Sequence, residues 1–450
     1  MKNLRPIPTA PHAWPLAGHL VSWLRDPLAF LTSLPAHGEL VRIRMGPLPL
    51  VVICDPELTR QALVDDRVFD KGGPFWDRGR EVVGDGLGSC PHSEHRRLRR
   101  LAQPAFHTGR LPGYARTMTA CIEATTSSWL PGQDLDVPTE MMTITSQVTA
   151  ATLFSDSLPP AELGDLVADV RTIAAGVSRR MFLVPPLDRL PTQHNRAYLR
   201  ARTHLRHVCD LIIAERRAGN TDHGDLLSAL VAARDPDDGN RGLTDAEISD
   251  TIAAVFLAGT ETTASALASA LDLLARHPEI ERRLHAEVDS VLRGSPATHA
   301  DVSRLLLTER VITEALRLYA PVWFITRTVT RDTHLGGHPL PAGASIAYSP
   351  HLIHHQPDLY AAPETFNPDR WDPKRSQPPR HAFIPFASGP RKCIGDTFAM
   401  TEATLTLATI AARWRLKHLS DHQHRRVKGL ALSPTELRMQ VTPRTATHVN

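Results

Sequence analysis

Residues 386–395, Phe-Ala-Ser-Gly-Pro-Arg-Lys-Cys-Ile-Gly, present one cysteine in a glycine-containing loop just before a helical run over 398–413. Backbone N–H groups at a helix start lower the pKa of a nearby thiol, and the charges of Arg391 and Lys392 act in the same direction. The pattern predicts that Cys393 is a thiolate, suited to be a nucleophile or a metal ligand. A cysteine considered alone is more often an inert core residue, so other segments have to decide.

A long apolar segment between Thr244 and His277 predicts a buried central helix. Thr244 and Glu247 have the spacing of a capping box, and Pro278 is a stop signal. A helix of this length reaches about 50 Å and can cross a whole domain. Its middle holds the polar run Gly259-Thr260-Glu261-Thr262-Thr263. A buried carboxylate is costly unless it is paired, so this run indicates a functional site.

Composition and charge exclude several classes of protein. The chain has 450 residues, a net charge of +3 and 42% hydrophobic residues, which is typical of a globular protein and gives no footprint for nucleic acid. No run of about 18 apolar residues is present, which predicts no membrane partner. The five cysteines contain no CxxC pair, which favours a reducing cytoplasm; they are Cys54, Cys90, Cys121, Cys209 and Cys393.

The order of predicted elements favours a mainly α protein with a small β subdomain (α+β). Alternating residues over 39–45 and 49–54 predict an N-terminal hairpin, and helical patterns dominate after Pro56. Leu430–Leu432 and Leu437–Val441 flank Ser433-Pro434 and predict a second hairpin. We therefore expect one domain over 1–450, with a β-rich part at about 36–56, an α-rich core at about 57–430 and a C-terminal hairpin at about 430–442.

The cysteine loop resembles the haem-ligand loop of the cytochrome P450 family, Phe-x-x-Gly-x-Arg-x-Cys-x-Gly. It matches at Phe386, Gly389, Arg391, Cys393 and Gly395. The resemblance implies a haem b whose iron is bound by Cys393, with Phe386 near the sulfur. It also implies that Arg391 pairs with a haem propionate and that Gly395 lets the next helix approach the porphyrin. The fold implied is the triangular P450 fold of the soluble bacterial type, with the long central helix over the haem.

A second match is Glu314-x-x-Arg317, whose i,i+3 spacing places both side chains on one helix face. Taken alone, this would be an ordinary surface pair. In the family it is a buried structural pair that supports the cysteine loop, with a third member that corresponds to Arg370. The family commonly has Pro-Glu-Arg-Phe at that position, so Asp369 and Trp371 are departures from the pattern.

The polar run of the central helix matches the family's oxygen-activation motif through Ala258, Gly259, Glu261 and Thr262. Cleavage of dioxygen requires protons in an otherwise dry pocket. By resemblance, Thr262 holds water by hydrogen bonds, Glu261 relays protons, and Gly259 leaves room for dioxygen. The alternative for a threonine in a helix is a hydrogen bond to its own i−4 carbonyl.

Further basic residues match positions that bind haem propionates in the family. His95 and Arg99 resemble its His/Trp-x-x-x-Arg clamp, and Arg327 follows a strand-like segment. The other arginines of 94–101 suit docking of an acidic redox partner. We expect electrons to come from NAD(P)H through a ferredoxin reductase and a ferredoxin, to a monomeric P450.

The predicted substrate pocket is apolar and partly aromatic, without a charged anchor, which favours a small apolar substrate. Three segments (69–73, 104–108 and 190–192) resemble bacterial terpene oxygenases, which implies a sesquiterpene or other terpenoid of secondary metabolism. The predicted lining residues are Phe75, Trp76, Val82, Val83, Leu87, Ala254, Val322, Trp323, Phe324, Ile325, Ser433 and Pro434.

The resemblance implies a haem-dependent monooxygenase that uses dioxygen. Two alternatives stay open. One is a haem-thiolate isomerase, dehydratase or peroxide-driven oxygenase, which needs no reductase. The other is a non-catalytic haem protein that senses a ligand. The intact Glu261-Thr262 pair favours the monooxygenase, because neither alternative has much use for a proton relay.

Overall fold

A computed structural model describes residues 5–155, 158–180, 190–219, 221–419, 426–428 and 431–444. Helices dominate these residues, and they are, in chain order, α1 (Leu20–Arg25), α2 (Pro27–Ser33), α3 (Pro56–Val64), α4 (Pro74–Val83), α5 (His92–Ala102), α6 (Leu111–Thr126), α7 (Val137–Phe154), α8 (Pro160–Arg180), α9 (Gln193–Gly219), α10 (Leu226–Ala232), α11 (Asp245–Arg276), α12 (Pro278–Leu292), α13 (His299–Val302), α14 (Leu306–Leu318), α15 (Pro350–His354) and α16 (Asp396–Arg413).

The strands form one larger sheet and several small ones. Their bounds are β1 (Leu40–Met45), β2 (Leu48–Ile53), β3 (Phe69–Asp70), β4 (Asp134–Asp136), β5 (Arg234–Asp235), β6 (Arg241–Gly242), β7 (Ile325–Val329), β8 (Thr333–Leu335), β9 (His338–Leu340), β10 (Ser345–Tyr348), β11 (Trp414–His418), β12 (Arg426–Lys428), β13 (Leu432–Pro434) and β14 (Arg438–Pro443). The mainly α architecture with a small β region agrees with the fold class predicted from the sequence.

The largest sheet has the strand order β1-β2-β10-β7-β3. The predicted N-terminal hairpin is present as β1 and β2, which pair in antiparallel register from Leu40 opposite Ile53 to Met45 opposite Leu48. The strand β10 joins β2 in parallel, and β7 continues the sheet in antiparallel register. The β region therefore draws strands from 325–348, inside the part that the sequence pattern indicated as α-rich.

The predicted C-terminal hairpin is wrong. The strand β13 pairs with β12, whereas β14 pairs with β11 on one side and β4 on the other. Ser433 and Pro434 lie inside β13 rather than at a turn between two paired strands. The physical reason is that β14 is paired on both sides, by β11 and β4, and buries Met439 and Val441 there, while β13 pairs with the strand just before it.

The central helix α11 begins and ends where the sequence predicted. The Thr244 hydroxyl accepts from the Glu247 amide at 3.2 Å, and the Glu247 carboxylate accepts from the Thr244 amide at 2.8 Å. His277 caps the other end, before Pro278 starts α12. Among the described helices, only α11 is long and apolar enough to cross a membrane, and most of its apolar stretch is buried inside the protein.

Candidate haem and substrate site

A cavity of about 320 Å³ lies where α11, α14, α16 and β7 converge. Its wall is mostly apolar, with one thiol and a few charged groups. The residues that line it include Lys71, Trp76, Phe106, Thr149, Thr152, Leu226, Val255, Ala258, Gly259, Thr262, Ile312, Val322, Ile325, Arg327, Tyr348, Phe386, Arg391, Cys393, Gly395, Phe398 and Glu402. Segments far apart in the sequence thus meet at a single chamber.

The cysteine loop is held in one conformation by its own backbone. The Cys393 amide donates to the Phe386 carbonyl at 2.9 Å, which closes the loop. Gly389 has φ of +71°, and a Cβ at this position would collide with the carbonyl oxygen of Leu63. Only glycine satisfies both conditions without strain. Gly395 is the N-cap of α16, so Cys393 lies directly before the start of that helix, as predicted.

The prediction that the helix start, Arg391 and Lys392 make Cys393 a thiolate stays a prediction, because its surroundings act on the pKa of the thiol in both directions. Burial raises the pKa of the Cys393 thiol, and the Gly395 amide, Arg99 and Lys392 only partly oppose this effect. Cys393 is exposed toward the cavity, while the protein packed around it disfavours the charged form of the thiol. A metal ion at the sulfur would supply the missing positive charge, because a coordinating thiol is deprotonated outright.

Glu314 and Arg317 form a fully buried ion pair behind this loop. Nε and Nη2 of Arg317 donate to the two carboxylate oxygens of Glu314 at 2.9 and 2.8 Å. Arg370 lies at the edge of the pair, with its Nε 3.4 Å from Glu314 Oε1. Trp371, a departure from the family pattern, donates from its ring nitrogen to Glu314 Oε2 at 2.8 Å. The structure therefore brings the three predicted members together and adds a fourth.

The pair is connected to the cysteine loop through one histidine. His354 contacts the Arg317 carbonyl through Nδ1 at 3.1 Å and accepts from the Ile384 amide at Nε2 at 3.0 Å. This pattern requires the neutral tautomer, and burial lowers the pKa of His354 well below its usual range. Ile384 lies two residues before Phe386. The hydrogen bonds of His354 therefore fix the position of the segment that leads into the cysteine loop.

Arg327 carries unpaired donors into the cavity wall. Its side chain is buried, and its Nε and Nη1 find no hydrogen-bond partner among the described residues. The neighbouring Tyr348 hydroxyl is buried and likewise finds no acceptor or donor there. Lys71, also buried, donates to the Gly88 carbonyl and lies 4.5 Å from the centre of the Trp76 ring. Buried unpaired cations are costly, so this cluster fits an anionic group such as a haem propionate.

Arg391 is already held by acidic partners on another part of the chain. Its Nε and Nη2 bind Asp66 and Asp70 at 2.8 and 2.9 Å, and its Nη1 donates to the Cys90 carbonyl at 2.8 Å. The guanidinium also borders the cavity, so it is oriented before any propionate arrives. Its predicted pairing with a propionate stays a prediction.

His95 and Arg99 lie on α5, on the far side of the cysteine loop. They line a separate surface groove rather than the cavity. Arg99 donates to the Lys392 carbonyl, so it is linked to the residue next to Cys393. Burial lowers the pKa of His95 to about 3, with a further contribution from the charges of Arg391 and Lys71. His95 is therefore neutral at physiological pH and can donate one hydrogen bond.

The predicted acid–alcohol pair is present in the middle of α11. The Thr262 hydroxyl lines the cavity and donates to the Ala258 carbonyl at 2.6 Å, the alternative considered for an ordinary helical threonine. Burial raises the pKa of Glu261 to about 7, and the backbone amide of Ala431 partly opposes the shift. Gly259 faces Thr149, where an added Cβ would lie 3.2 Å from Oγ1. Ala258 and Gly259 have small side chains and thus leave free space in the cavity beside Thr262.

Only part of the predicted substrate pocket lines the cavity. Trp76, Val322 and Ile325 belong to its wall, and the Phe75 side chain lies outside the described residues. The others pack elsewhere because neighbouring elements cover them. Val82, Val83, Leu87 and Ala254 join the core around α8–α10, Trp323 and Phe324 pack against Trp23, and the Ser433-Pro434 strand lies along α11.

Five polar residues of the cavity wall were not predicted from the sequence, namely Lys71, Tyr348, Thr149, Thr152 and Glu402. Lys71 and Tyr348 belong to the cationic cluster described above. Thr149 and Glu402 are buried, with side-chain oxygens that find no hydrogen-bond partner among the described residues. Burial raises the pKa of Glu402 well above its usual range. A signal was available for Glu402, since it is the one charged residue in the middle of a predicted helix that follows Cys393.

Comparisons with known proteins agree with this geometry. The sequence profile described as Cytochrome P450 matches residues 8–441. The chain is 46% identical to pentalenene oxygenase of Streptomyces avermitilis, over 97% of both proteins. It is 44% identical to cyclooctatin synthase of Streptomyces melanosporofaciens, over 97% of this chain and 95% of that one.

Two further relatives extend the comparison to a second terpenoid substrate and to a solved structure. Cyclooctat-9-en-7-ol 5-monooxygenase of Streptomyces melanosporofaciens is 44% identical over 91% of this chain and 89% of its own length. The crystal structure of the cytochrome P450DA heme domain superposes with a TM-score of 0.88, at 28% identity, and covers 98% of this chain and 99% of that one. Both the sequence and the fold match those of cytochromes P450 over nearly the whole length of the chain. The chain therefore belongs to the cytochrome P450 family.

Proposed function

We propose that the protein is a haem-dependent monooxygenase that hydroxylates a small terpenoid, such as a sesquiterpene. The observation that carries the proposal is that Cys393 and Thr262 line one mostly apolar cavity, with Glu261 next to Thr262 on α11. The names of the relatives support the substrate class, because pentalenene and cyclooctat-9-en-7-ol are terpenoids. The exact terpenoid is set by the cavity wall rather than by the family.

The residues of the cavity fit a haem b. Cys393 would ligate the iron, and Arg327, Lys71 and Arg391, which border the cavity, would neutralise the propionates. His95 and Arg99, predicted for the same role, line the groove on the other side of the cysteine loop. Gly389 would keep the ligand loop compact, Gly395 would leave room for the haem at the start of α16, and Phe386 would shield the sulfur from water. When bound, the haem supplies the redox chemistry that activates dioxygen.

Glu261 and Thr262 carry protons to the reacting oxygen. The hydrogen of Thr262 is committed to the Ala258 carbonyl, so the hydroxyl oxygen is free to accept a hydrogen bond in the cavity. Glu261, with a pKa near 7, exchanges protons readily at neutral pH. Together they hold a donor in place and resupply it, while the apolar wall excludes other water.

The substrate end of the cavity selects an apolar molecule of compact shape. Apart from the propionate cluster, Glu402 and four threonines (Thr149, Thr152, Thr262 and Thr263), its wall is made mostly of aliphatic and aromatic side chains. Without an anchoring charge, the orientation of the substrate depends on shape alone. The side chains expected to set that shape are Trp76, Leu226, Val255, Val322 and Ile325.

Electrons are proposed to arrive at the α5 side from a ferredoxin, reduced by NAD(P)H through a ferredoxin reductase. The surface groove there is lined by Arg96, Arg99, Arg100 and Arg110. Arg100 is partly neutralised by Asp235 and Asp237, which leaves the other arginines to attract an acidic partner. Arg99 touches the Lys392 carbonyl, so the groove is close to the iron ligand. We also propose a monomer that works in the cytoplasm.

The first test is the absorption spectrum of the dithionite-reduced protein with carbon monoxide. A strongly red-shifted Soret band is expected for a thiolate-ligated ferrous haem, and Cys393→Ala should lose it.

The second test adds a bacterial ferredoxin, its reductase, NADPH and a panel of sesquiterpenes and diterpenes, with products identified by mass spectrometry. Hydroxylated product that requires both NADPH and dioxygen supports the proposal. Product formed equally well with hydrogen peroxide alone would identify a peroxygenase instead.

A further inference from the structure

The arginines of α5 divide into two sets with different surroundings. Arg96 and Arg99 line the surface groove of about 920 Å³ beside the cysteine loop. Arg97 lies outside that groove, and its side chain is only 16% exposed. Arg100 belongs to both sets, because it lines the groove and its guanidinium is also paired with aspartates from another segment. The partners of Arg100 therefore affect the charge of the groove.

These aspartates belong to a small hairpin that precedes α11. Its strands β5 and β6 pair in antiparallel register, and residues 235–238, Asp-Pro-Asp-Asp, lie at its turn. We call these four residues the acidic tip. The Asn240 amide donates to the Asp235 carbonyl at 2.9 Å, and the Asp237 amide donates to the Asp235 carboxylate at 3.0 Å. These backbone hydrogen bonds fix the position of the acidic tip.

Two contacts attach the hairpin to α5 without the help of Asp237. Nη2 of Arg97 donates to the Gly242 carbonyl at 2.9 Å. Nη2 of Arg100 donates to the carboxylate of Asp235 at 2.5 Å, and the Asp235 side chain is fully buried. A buried carboxylate needs such a partner, so this pair is part of the structure of the hairpin.

Asp237 adds a second carboxylate to Arg100 from the solvent side. Its side chain is 71% exposed and accepts from Nη1 of Arg100, which is itself 37% exposed. An ion pair this accessible to water contributes about 0–1 kcal/mol to stability, so the fold does not depend on it. Because Asp235 already balances the charge of Arg100, the second carboxylate leaves these three groups with a net negative charge. That charge lies at the edge of a groove that is otherwise rich in arginine.

We propose that Asp237 competes with an acidic redox partner for Arg100 and thereby limits the affinity of the complex. The inference rests on the proposed docking of a ferredoxin at this groove. When the partner approaches, its carboxylates and Asp237 repel each other, and the solvent side of Arg100 has room for only one of them. The pair between Asp237 and Arg100 is exposed and weak, so a partner can replace it, but at a cost in binding free energy.

A limited affinity suits the way in which a ferredoxin delivers electrons. Hydroxylation with dioxygen consumes two electrons, whereas a [2Fe–2S] ferredoxin carries one at a time. The spent ferredoxin therefore has to leave before a reduced one can take its place. Arg96 and Arg99 attract the acidic partner, and competition at Arg100 shortens the time for which it stays bound.

The experiment measures binding of the ferric holoenzyme to an oxidised, acidic plant-type [2Fe–2S] ferredoxin by surface plasmon resonance. At low salt, Asp237→Asn should bind at least about threefold more tightly than the wild type, and the difference should disappear at high salt. The matched control is Asp238→Asn, which removes the same charge one residue further on, where the carboxylate faces Arg97 outside the groove. Its affinity should stay within about twofold of the wild type.

A second comparison tests whether Asp237 acts through Arg100. Arg100→Gln should weaken binding by less than about twofold in the wild type, where Asp237 occupies this arginine, and should cancel the gain of Asp237→Asn in the double variant. A gain that survives Arg100→Gln, or equal gains in Asp237→Asn and Asp238→Asn, would show that only net charge matters and would overturn the proposal.

The remaining outcomes separate this inference from the proposed function. Unchanged or weaker binding of Asp237→Asn, with normal binding of the wild type, would overturn the inference and leave docking of a ferredoxin at the groove intact. If none of the proteins binds the ferredoxin, both the inference and that docking are wrong. The measurement needs no turnover, so neither result depends on the proposed terpenoid hydroxylation.

Discussion

The Thr262 hydroxyl donates a hydrogen bond to the Ala258 carbonyl, with 2.6 Å between Oγ1 and the carbonyl oxygen. Such a bond is the ordinary behaviour of a helical threonine and gives no evidence of function by itself. In this cavity, however, it fixes the hydroxyl rotor and turns the oxygen lone pairs toward the open wall beside Ala258 and Gly259. The local bond and the proposed role in proton delivery are therefore compatible.

Replacing Thr262 by alanine should uncouple electron consumption from product formation. Without the acceptor, the donor that delivers protons is no longer held in place, and the cavity admits loosely bound water. Hydroxylated product per NADPH should fall at least about tenfold, while hydrogen peroxide increases. Thr262→Ser keeps the hydroxyl and should stay near the wild-type ratio. Equal coupling in Thr262→Ala and wild type would contradict the proposed role.

The activity should depend on the ionisation of Glu261. Its carboxyl has a pKa raised to about 7, so it loses the proton that it donates as the pH rises through neutrality. The rate of product formation at saturating substrate should therefore decrease above pH 7. In Glu261→Gln the rate should be about a hundredfold lower, and the ionisation near pH 7 should be absent. Substrate binding, followed by the Soret shift over the same pH range, serves as the control and should not change.

Features encoded within a few residues could be predicted from the sequence. The capping box of Thr244 and Glu247, the closed loop before Cys393 and the pair Glu314–Arg317 all depend on short spacings, and the structure contains all three. The apolar character of the cavity could be anticipated as well, although only Trp76, Val322 and Ile325 of the predicted lining residues belong to its wall.

Features that depend on contacts between distant segments could not be predicted from the sequence. The acidic partners of Arg391 lie more than 320 residues away in the sequence, and no spacing rule connects them. The same holds for β14, which leaves its neighbour β13 and pairs with β11 and β4. The effect of burial on the pKa of the Cys393 thiol is of the same kind, because burial depends on the whole enclosure and acts against the local helix start.

Arg327 should stabilise the haem through its unpaired donors. Arg327→Leu removes charge-assisted hydrogen bonds that are worth about 1.5–3 kcal/mol, so haem loss should become about 10- to 100-fold faster. The rate can be followed by haem transfer to excess apomyoglobin. Arg331→Leu, an exposed arginine four residues further on, should lose haem at the wild-type rate. Identical rates in both variants would remove Arg327 from the propionate site.

The network around Glu314 should stabilise the fold in proportion to burial. Arg317→Met leaves a buried carboxylate uncompensated and should cost about 3–5 kcal/mol of unfolding free energy. Trp371→Phe removes one hydrogen bond to the same carboxylate and should cost about 1–3 kcal/mol. Thermal unfolding of the holoenzyme measures both, and Trp371→Phe keeps the test usable if Arg317→Met does not accumulate.

Arg283→Met is the control for this series, because it removes a more exposed pair with Asp369 and should cost less than about 1 kcal/mol. The expected order of midpoints is wild type and Arg283→Met, then Trp371→Phe, then Arg317→Met. A loss in Arg283→Met as large as that in Arg317→Met would show that burial is not what makes the network stabilising.

Glu402 should make the protein less stable as the pH rises. Its carboxyl is buried without a hydrogen-bond partner among the described residues, and its pKa is raised well above the usual range. Between the usual carboxyl pKa and the folded-state pKa, the unfolded chain releases a proton that the folded protein keeps. Stability therefore declines with pH by up to about 1.4 kcal/mol per unit. Glu402→Gln removes this ionisation, so its midpoint should exceed that of the wild type by more at pH 7 than at pH 5. The control is Glu279→Gln, at an exposed position, whose midpoint should differ from that of the wild type by the same amount at pH 5 and pH 7. The same result for Glu402→Gln would show that the Glu402 carboxyl is ionised in the folded protein and would contradict the prediction.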